Sequence, residues 1–195
     1  ADEGIQIFGG MGFSEDTPME AAWRDARIAR IYEGTNEINR MICIGMLIKK
    51  AMKGHVDLLG PAMKVQEELM GIPSFDTPDF SAPLSQEKAI IKNLKKVFLM
   101  VAGAGIQKFG PKIEEHQQLM LHAADILIKI YMAESAILRT EKNILRSSAE
   151  EQKHQIKMSQ LYLYNAVEVI SKSAKSGIIS FAEGKYQSFQ PSNSK

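Results

Sequence analysis

The run TPMEAAWRDARIARIYEGTNEINR, residues 17–40, opens one helix, stops it and opens another. Thr17 stands at an N-cap position, Pro18 follows where its missing N–H costs nothing, and Glu20 is placed to close a capping box. Periodicity carries this helix to about Glu33, and Gly34 stops it. Thr35 then caps a second helix, whose apolar residues Ile38, Met41, Ile42, Met46 and Ile48 carry it to about Lys53. The product is a helix-break-helix unit centred on Glu33-Gly34-Thr35. Helical periodicity of this kind recurs along nearly the whole chain, and no convincing alternating strand pattern appears, so the expected fold class is all-α.

Upstream, residues 2–8 read as the last turns of a helix stopped by Gly9-Gly10. Downstream, a short helix is expected over 56–70. It is followed by an irregular linker from Gly71 to Pro83, where three prolines interrupt any regular element. Three long amphipathic segments come next. Ile91, Leu94, Phe98, Val101 and Gly105 share one face; so do Ile113, Met120, Ala124, Leu127, Tyr131, Leu138 and Leu145; so do Ile156, Leu163, Val167, Ile170 and Ala174. Gly110-Pro111 and Ser147-Ser148 mark the breaks. Short connections make an up-down-up antiparallel arrangement, which needs a fourth element over its remaining apolar faces, from the first half of the chain or from a partner. The organisation expected is 1–53, a connector at 54–84, a helical region at 85–184, and a loosely ordered tail at 185–195 rich in Ser, Gln and Asn.

Composition limits the function classes. The 195 residues are 45% hydrophobic and 24% charged with a formal net charge of +1, which describes one ordinary core or two small helical units and offers no basic field for nucleic acid. The single cysteine, Cys43, sits in an apolar run and reads as a buried free thiol in a reducing compartment. The apolar stretches 41–48 and 97–106 fall short of the roughly 20 residues that span a bilayer. The first residues carry neither a signal-peptide pattern nor an initiator Met, and the chain reads as cut from something longer. The 11 methionines are expected to fill helix interfaces. Lys88, Lys92, Lys95 and Lys96 could touch anionic lipid, although such a run is usually a wet helix face. No metal is assigned: Glu151 and His154 have a di-metal spacing in one copy only, and His116 and His122 share no helical face.

Candidate chemistry is confined to the first forty residues. Glu33, placed at the end of a helix, sits where the macrodipole disfavours a charged carboxylate, which suits a general base; a surface glutamate near a helix end is also commonplace. Thr35-Asn36-Glu37 opens a helix whose free N–H groups could hold a phosphate or a polar cofactor atom, or it is a plain cap. Gly9-Gly10-Met11-Gly12 would let a ligand approach the backbone closely, or it is simply a turn. These residues give a candidate site and no reaction.

Their joint order adds more. QIFGGMGF at 6–13 followed by RDARIARIYEGTNEINR at 24–40 resembles the closing signature of the acyl-CoA dehydrogenase family. The resemblance implies that Glu33 removes the α-proton of a fatty acyl-CoA thioester while the β-hydrogen leaves as hydride to FAD, giving a trans-2-enoyl-CoA. It implies that Gly34 lines the acyl-CoA site and that Thr35, Asn36 and Glu37 contact the flavin nucleotide. Gln6, Ile7, Phe8, Gly9 and Gly10 resemble the family stretch that touches FAD across a subunit boundary, which implies a homodimer at least. An electron-transfer flavoprotein is the implied acceptor. The implied location is cytoplasmic in a bacterium, and the mitochondrial matrix or inner-membrane surface in a eukaryote.

The resemblance is strongest over residues 1 to about 50, the implied end of the catalytic C-terminal helical domain. The long helical remainder is similar in placement to the extra C-terminal region of the very-long-chain acyl-CoA dehydrogenases. The family's N-terminal helical domain and middle β-domain have no counterpart in these residues, so the 195 residues alone are expected neither to bind FAD tightly nor to turn over. The alternative is a helical dimerisation or membrane-docking module without catalysis.

Overall fold

The computed structural model describes residues 1–71 and 80–182. The expected tail at 185–195 and most of the proline-rich linker lie outside the described residues. All regular elements among the described residues are helical, in agreement with the all-α expectation. In chain order they are α1 (Asp2–Phe8), a 3-10 turn (Gly9–Phe13), α2 (Pro18–Ile28), α3 (Asn36–Met52), α4 (Leu59–Met70), α5 (Ser85–Phe109), a second 3-10 turn (Gly110–Glu115), α6 (Gln117–Ile144) and α7 (Lys153–Ile179). Contacts divide the chain into two units, Ala1–Ile42 and Cys43–Lys195.

In the first unit α1 stops as expected, at Gly9 with φ 61° and its N–H on the Gln6 carbonyl. Met19 of α2 lies over Gly4 of α1, and the Trp23 indole N–H donates to Asp2. Phe13 and Trp23 face each other at 6.3 Å between ring centroids. The capping box does not form. The Thr17 hydroxyl donates to the Met11 carbonyl at 2.8 Å, tying α2 to the preceding turn, and Glu20 pairs with Arg24 at 3.3 Å instead. Gly12 alone is buried in this unit, while Ile7, Phe8, Phe13, Ile31, Tyr32, Ile38 and Ile42 are all exposed, Ile7 by 82%.

The second unit has a core. Lys88 and Lys95 of α5 reach Glu141 and Glu134 of α6, each at 2.6 Å, so these helices run antiparallel. Gln160 of α7 bonds Glu87, and Lys108 bonds the Phe181 carbonyl, so α7 runs parallel to α5. This is the up-down-up arrangement, and α4 supplies the fourth helix. It lies antiparallel on α5, with Ala62 against Gly103 and Glu68 bonded to Lys96. The lysine run is thus largely committed to interhelical pairs. Ile44 and Ile48 of α3 are buried with Met120, Phe98 and Ile113 around a small apolar space.

The inward face of α5 is the expected one: Ile91, Leu94, Phe98, Val101 and Gly105 are its buried residues. The α6 face is phased differently. Its buried stripe is Leu119, Met120, Ala123, Ala124, Ile126, Ile130, Ala133, Ile137 and Thr140, and Tyr131, Leu138 and Leu145 stand in solvent. In α7 Leu163, Ile170 and Ala174 are buried as expected, joined by Ser159, Ala166, Ser173 and Gly177. Thr140 and Ser159 satisfy each other across α6 and α7 at 2.7 Å, so the burial of two hydroxyls is compensated. Two further expectations fail. Cys43 is exposed, because the inward face of α3 is set by Ile44 and Ile48. Of the methionines only Met120 is buried; Met11, Met46, Met52, Met63, Met70, Met100, Met132 and Met158 face outward.

Candidate active site

The segment between α2 and α3 does not continue the helix to Glu33. α2 ends at Ile28, and the chain unwinds through turn bonds, Ile31 N–H to Ile28 at 2.9 Å and Tyr32 N–H to the same carbonyl at 3.4 Å. No glycine or proline marks that end. Glu33 therefore lies beyond the reach of the helix macrodipole, whose influence falls off within a turn, and the helix-end argument for it lapses. A different feature singles it out. Glu33 has φ 55° and Gly34 φ 90°, and Glu33 is one of two non-glycine residues with positive φ among those described. Such a conformation costs a β-carbon-bearing residue on the order of 1–3 kcal/mol, persists only where neighbours enforce it, and clusters at functional sites. The side chain is exposed.

The neighbours that enforce it are identifiable. The Asn36 N–H donates to the Arg30 carbonyl at 3.2 Å, closing a loop around Ile31–Thr35. Asn39 donates from Nδ2 to the Gly34 carbonyl at 2.8 Å. Thr35 caps α3 as expected, its Oγ1 accepting from the Ile38 N–H at 3.4 Å. The Glu37 carboxyl is held below its ordinary 4.5, first by its own backbone N–H and then by the Thr35 hydroxyl, with smaller pulls from Arg40 and Arg30.

These bonds engage part of the N–H groups at the start of α3. The N–H groups of Asn36 and Ile38 are engaged within the chain, and the Glu37 carboxylate stands beside them. The Glu37 carboxylate can accept a hydrogen bond from a hydroxyl.

The structure thus brings Glu33, Gly34, Thr35, Asn36 and Glu37 into a single tied turn. Gln6, Ile7, Phe8, Gly9 and Gly10 belong to a separate feature, the end of α1. There Ile7 and Phe8 are exposed, and no atom lies within 4 Å of where a side chain on Gly9 or Gly10 would begin. That end presents open backbone and exposed apolar side chains. Sequence reasoning missed Asn39; the available signal was a carboxamide five residues after a glycine and one turn inside a helix. No group of three or more His, Cys, Asp or Glu side chains among the described residues is arranged to hold a metal ion, and no described helix is long and apolar enough to cross a membrane.

Comparison with known proteins shows the family. Two family models, both described as the acyl-CoA dehydrogenase C-terminal domain, match residues 1–47 and 93–194. The chain is 43% identical over 183 residues to a probable acyl-CoA dehydrogenase of Bacillus subtilis (strain 168), covering 94% of this chain and 30% of that protein. It is 31% identical over 160 residues to the mitochondrial very long-chain specific acyl-CoA dehydrogenase of Rattus norvegicus, covering 73% of this chain and 24% of that protein. Among solved structures, an acyl-CoA dehydrogenase complexed with FAD from Bacillus anthracis superposes with a TM-score of 0.84 at 42% identity, over 94% of this chain and 31% of that one. The chain therefore spans less than a third of the length of these relatives.

Proposed function

The chain belongs to the acyl-CoA dehydrogenase family, and from that premise we propose that it is the C-terminal part of a flavin-dependent enzyme that oxidises fatty acyl-CoA to trans-2-enoyl-CoA. In this reading residues 1–53 end the catalytic domain, 54–84 connect, and 85–184 form the helical extension, with the tail after it. The observation that carries the proposal is the left-handed Glu33 in a turn tied on both sides, in the segment that a family model covers.

Glu33 takes the α-proton. Thioester enolisation needs a carboxylate facing the α-carbon from the side opposite the flavin, held where little motion separates it from the proton. Two consecutive positive-φ residues turn the chain sharply, so the Glu33 side chain leaves at the apex of the loop. Gly34, next to the base, would line the acyl-CoA site with its backbone. Bound FAD supplies the acceptor for the β-hydride. Thr35, Asn36 and Glu37 would hold it through a hydroxyl accepted by the Glu37 carboxylate, and the exposed Gln6–Gly10 segment would meet the FAD of a second subunit in a homodimer. An electron-transfer flavoprotein would reoxidise it. The exposed apolar residues of the first unit support a seat against the rest of a longer protein, so the 195 residues alone are expected to lack tight flavin binding and turnover.

A second reading, a helical dimerisation or membrane-docking module, has one observation in its favour: an open apolar groove between α4 and α5, lined by Leu59, Met63, Leu69, Leu99 and Met100. The deciding experiment is anaerobic bleaching of flavin by a long-chain acyl-CoA in the full-length parent, wild type against Glu33→Gln. Bleaching by the wild type, slowed about 10²–10⁴-fold in the variant with FAD retained, supports the catalytic reading. A wild type that binds both ligands without bleaching sinks it and leaves the second.

A further inference from the structure

We propose that Asn39 is a positioning residue for the reaction: its carboxamide clamps the Gly34 peptide and so holds Glu33 in the left-handed conformation that presents its carboxylate. The inference rests on the reading of Glu33 as the base.

A glutamate has no intrinsic reason to stay at φ 55°, where its β-carbon crowds the following carbonyl. Released, it would relax to an ordinary helical or extended conformation and swing its carboxylate to a new direction. The turn bonds that follow α2 reach only to Tyr32, and the Asn36-to-Arg30 bond closes the loop without fixing its apex. The bond that acts at the apex is the one from Asn39 Nδ2 to the Gly34 carbonyl, at 2.8 Å. That carbonyl belongs to the residue next to Glu33, so holding it restrains the rotation by which Glu33 would escape.

A second measurement points the same way. A β-carbon built on Gly34 would lie 2.9 Å from Asn39 Oδ1, closer than real side chains tolerate. The carboxamide thus occupies the space that any other residue at position 34 would fill. Bare Gly34 and the Asn39 bond form one device, and each requires the other. Asn39 is itself rigidly borne. It sits one turn inside α3, its backbone N–H on the Thr35 carbonyl at 2.9 Å, below a cap formed by the Thr35 hydroxyl. The line of restraint runs from the body of α3 through Asn39 to Gly34 and then to Glu33.

The test uses the flavin-loaded full-length parent and single-turnover reduction of its flavin by a long-chain acyl-CoA, with flavin content, melting temperature and KM measured alongside. Asn39→Ala removes the clamp, and Asn39→Asp keeps its shape while replacing the donor with an acceptor. Both are expected to slow reduction on the order of 10- to 100-fold with flavin content and KM near wild type, since a misplaced base costs rate and not binding. Asn39→Gln, which keeps the donor, should recover part of the rate. Gly34→Ala should cost less in the Asn39→Ala background than in wild type, because the collision with Oδ1 is gone. Wild-type rates in Asn39→Asp overturn the proposal, and so does a loss in all three variants that tracks lost flavin or lowered melting temperature. Glu33→Gln run in parallel separates the two claims. If it reduces flavin at the wild-type rate, the base reading itself has failed; if it is dead while Asn39→Ala and Asn39→Asp are fast, only the clamp has.

Discussion

Ala1–Ile42 and Cys43–Lys195 solve opposite problems. The first unit has no apolar side chain buried, exposes Ile7, Phe8, Phe13 and Tyr32, and keeps a glutamate in a conformation that costs energy. The second buries Ile126, Ile137, Ile170 and Val101 completely, pairs the buried hydroxyls of Thr140 and Ser159 and commits three lysines to interhelical ion pairs. A left-handed glutamate persists only where its neighbours hold it. Within the first unit local hydrogen bonds do so for the Glu33 turn, while the second rests on packing. The candidate chemistry lies in the unit without a core, where the left-handed residue is exposed; the second unit's left-handed residue, Leu84, is buried in packing.

The sharpest way to break that contrast is to move the chemistry. Glu33→Gln should reduce the parent's flavin-reduction rate by about 10²–10⁴-fold, and no comparably exposed carboxylate of the second unit should approach that effect. Next come two residues of one helix. Ile137→Ala should destabilise the second unit by about 2–5 kcal/mol in chemical denaturation, while Tyr131→Ala, 69% exposed, should fall within about 0.5 kcal/mol. A larger cost at Tyr131 than at Ile137 would mean that the α6 stripe is phased as the sequence alone suggested. Smaller again is the hydroxyl pair. Thr140→Val leaves Ser159 with only a 3.5 Å approach to the Ala136 carbonyl and should cost about 1–3 kcal/mol; adding Ser159→Ala should cost less than the two changes summed.

The smallest effect belongs to the first unit. Because the folded state holds the Glu37 carboxyl below its ordinary 4.5, its contribution to the α3 start is complete above that value and is lost as pH falls through the lower folded one. Helicity followed between about pH 3 and pH 6 should fall with acidification, and Glu37→Gln should flatten the slope. An unchanged slope would remove Glu37 from the account of that helix end.

How much of this was legible in the sequence differs between the units for physical reasons. The α5 face was readable because Ile91, Leu94, Phe98 and Val101 form one apolar stripe with lysines opposite. α6 carries two stripes sharing Met120 and Ala124, and composition does not say which one the neighbours cover; the small residues Ala123 and Ala133, which let helices approach, were the better guide. The candidate site residues stood out in the sequence as a motif. The end of α2 at Ile28 did not, since nothing from Ala29 to Tyr32 breaks a helix locally. The stop comes from the Asn36-to-Arg30 and Asn39-to-Gly34 bonds, which are made from the far side of the turn. Cys43 read as buried because its neighbours are apolar, but a helix turns 100° per residue, and Ile44 took the inward position.

The central claim is that the base resides in the coreless unit, at Glu33. The most direct measurement is deuterium uptake at the α-carbon of an acyl-CoA that lacks a β-hydrogen, incubated in heavy water with the flavin-loaded full-length parent. Hydride transfer is then impossible, and exchange reports proton abstraction alone. The account predicts exchange by the wild type and none above background by Glu33→Gln with flavin retained. Exchange by the variant at the wild-type rate would place the base elsewhere and contradict it.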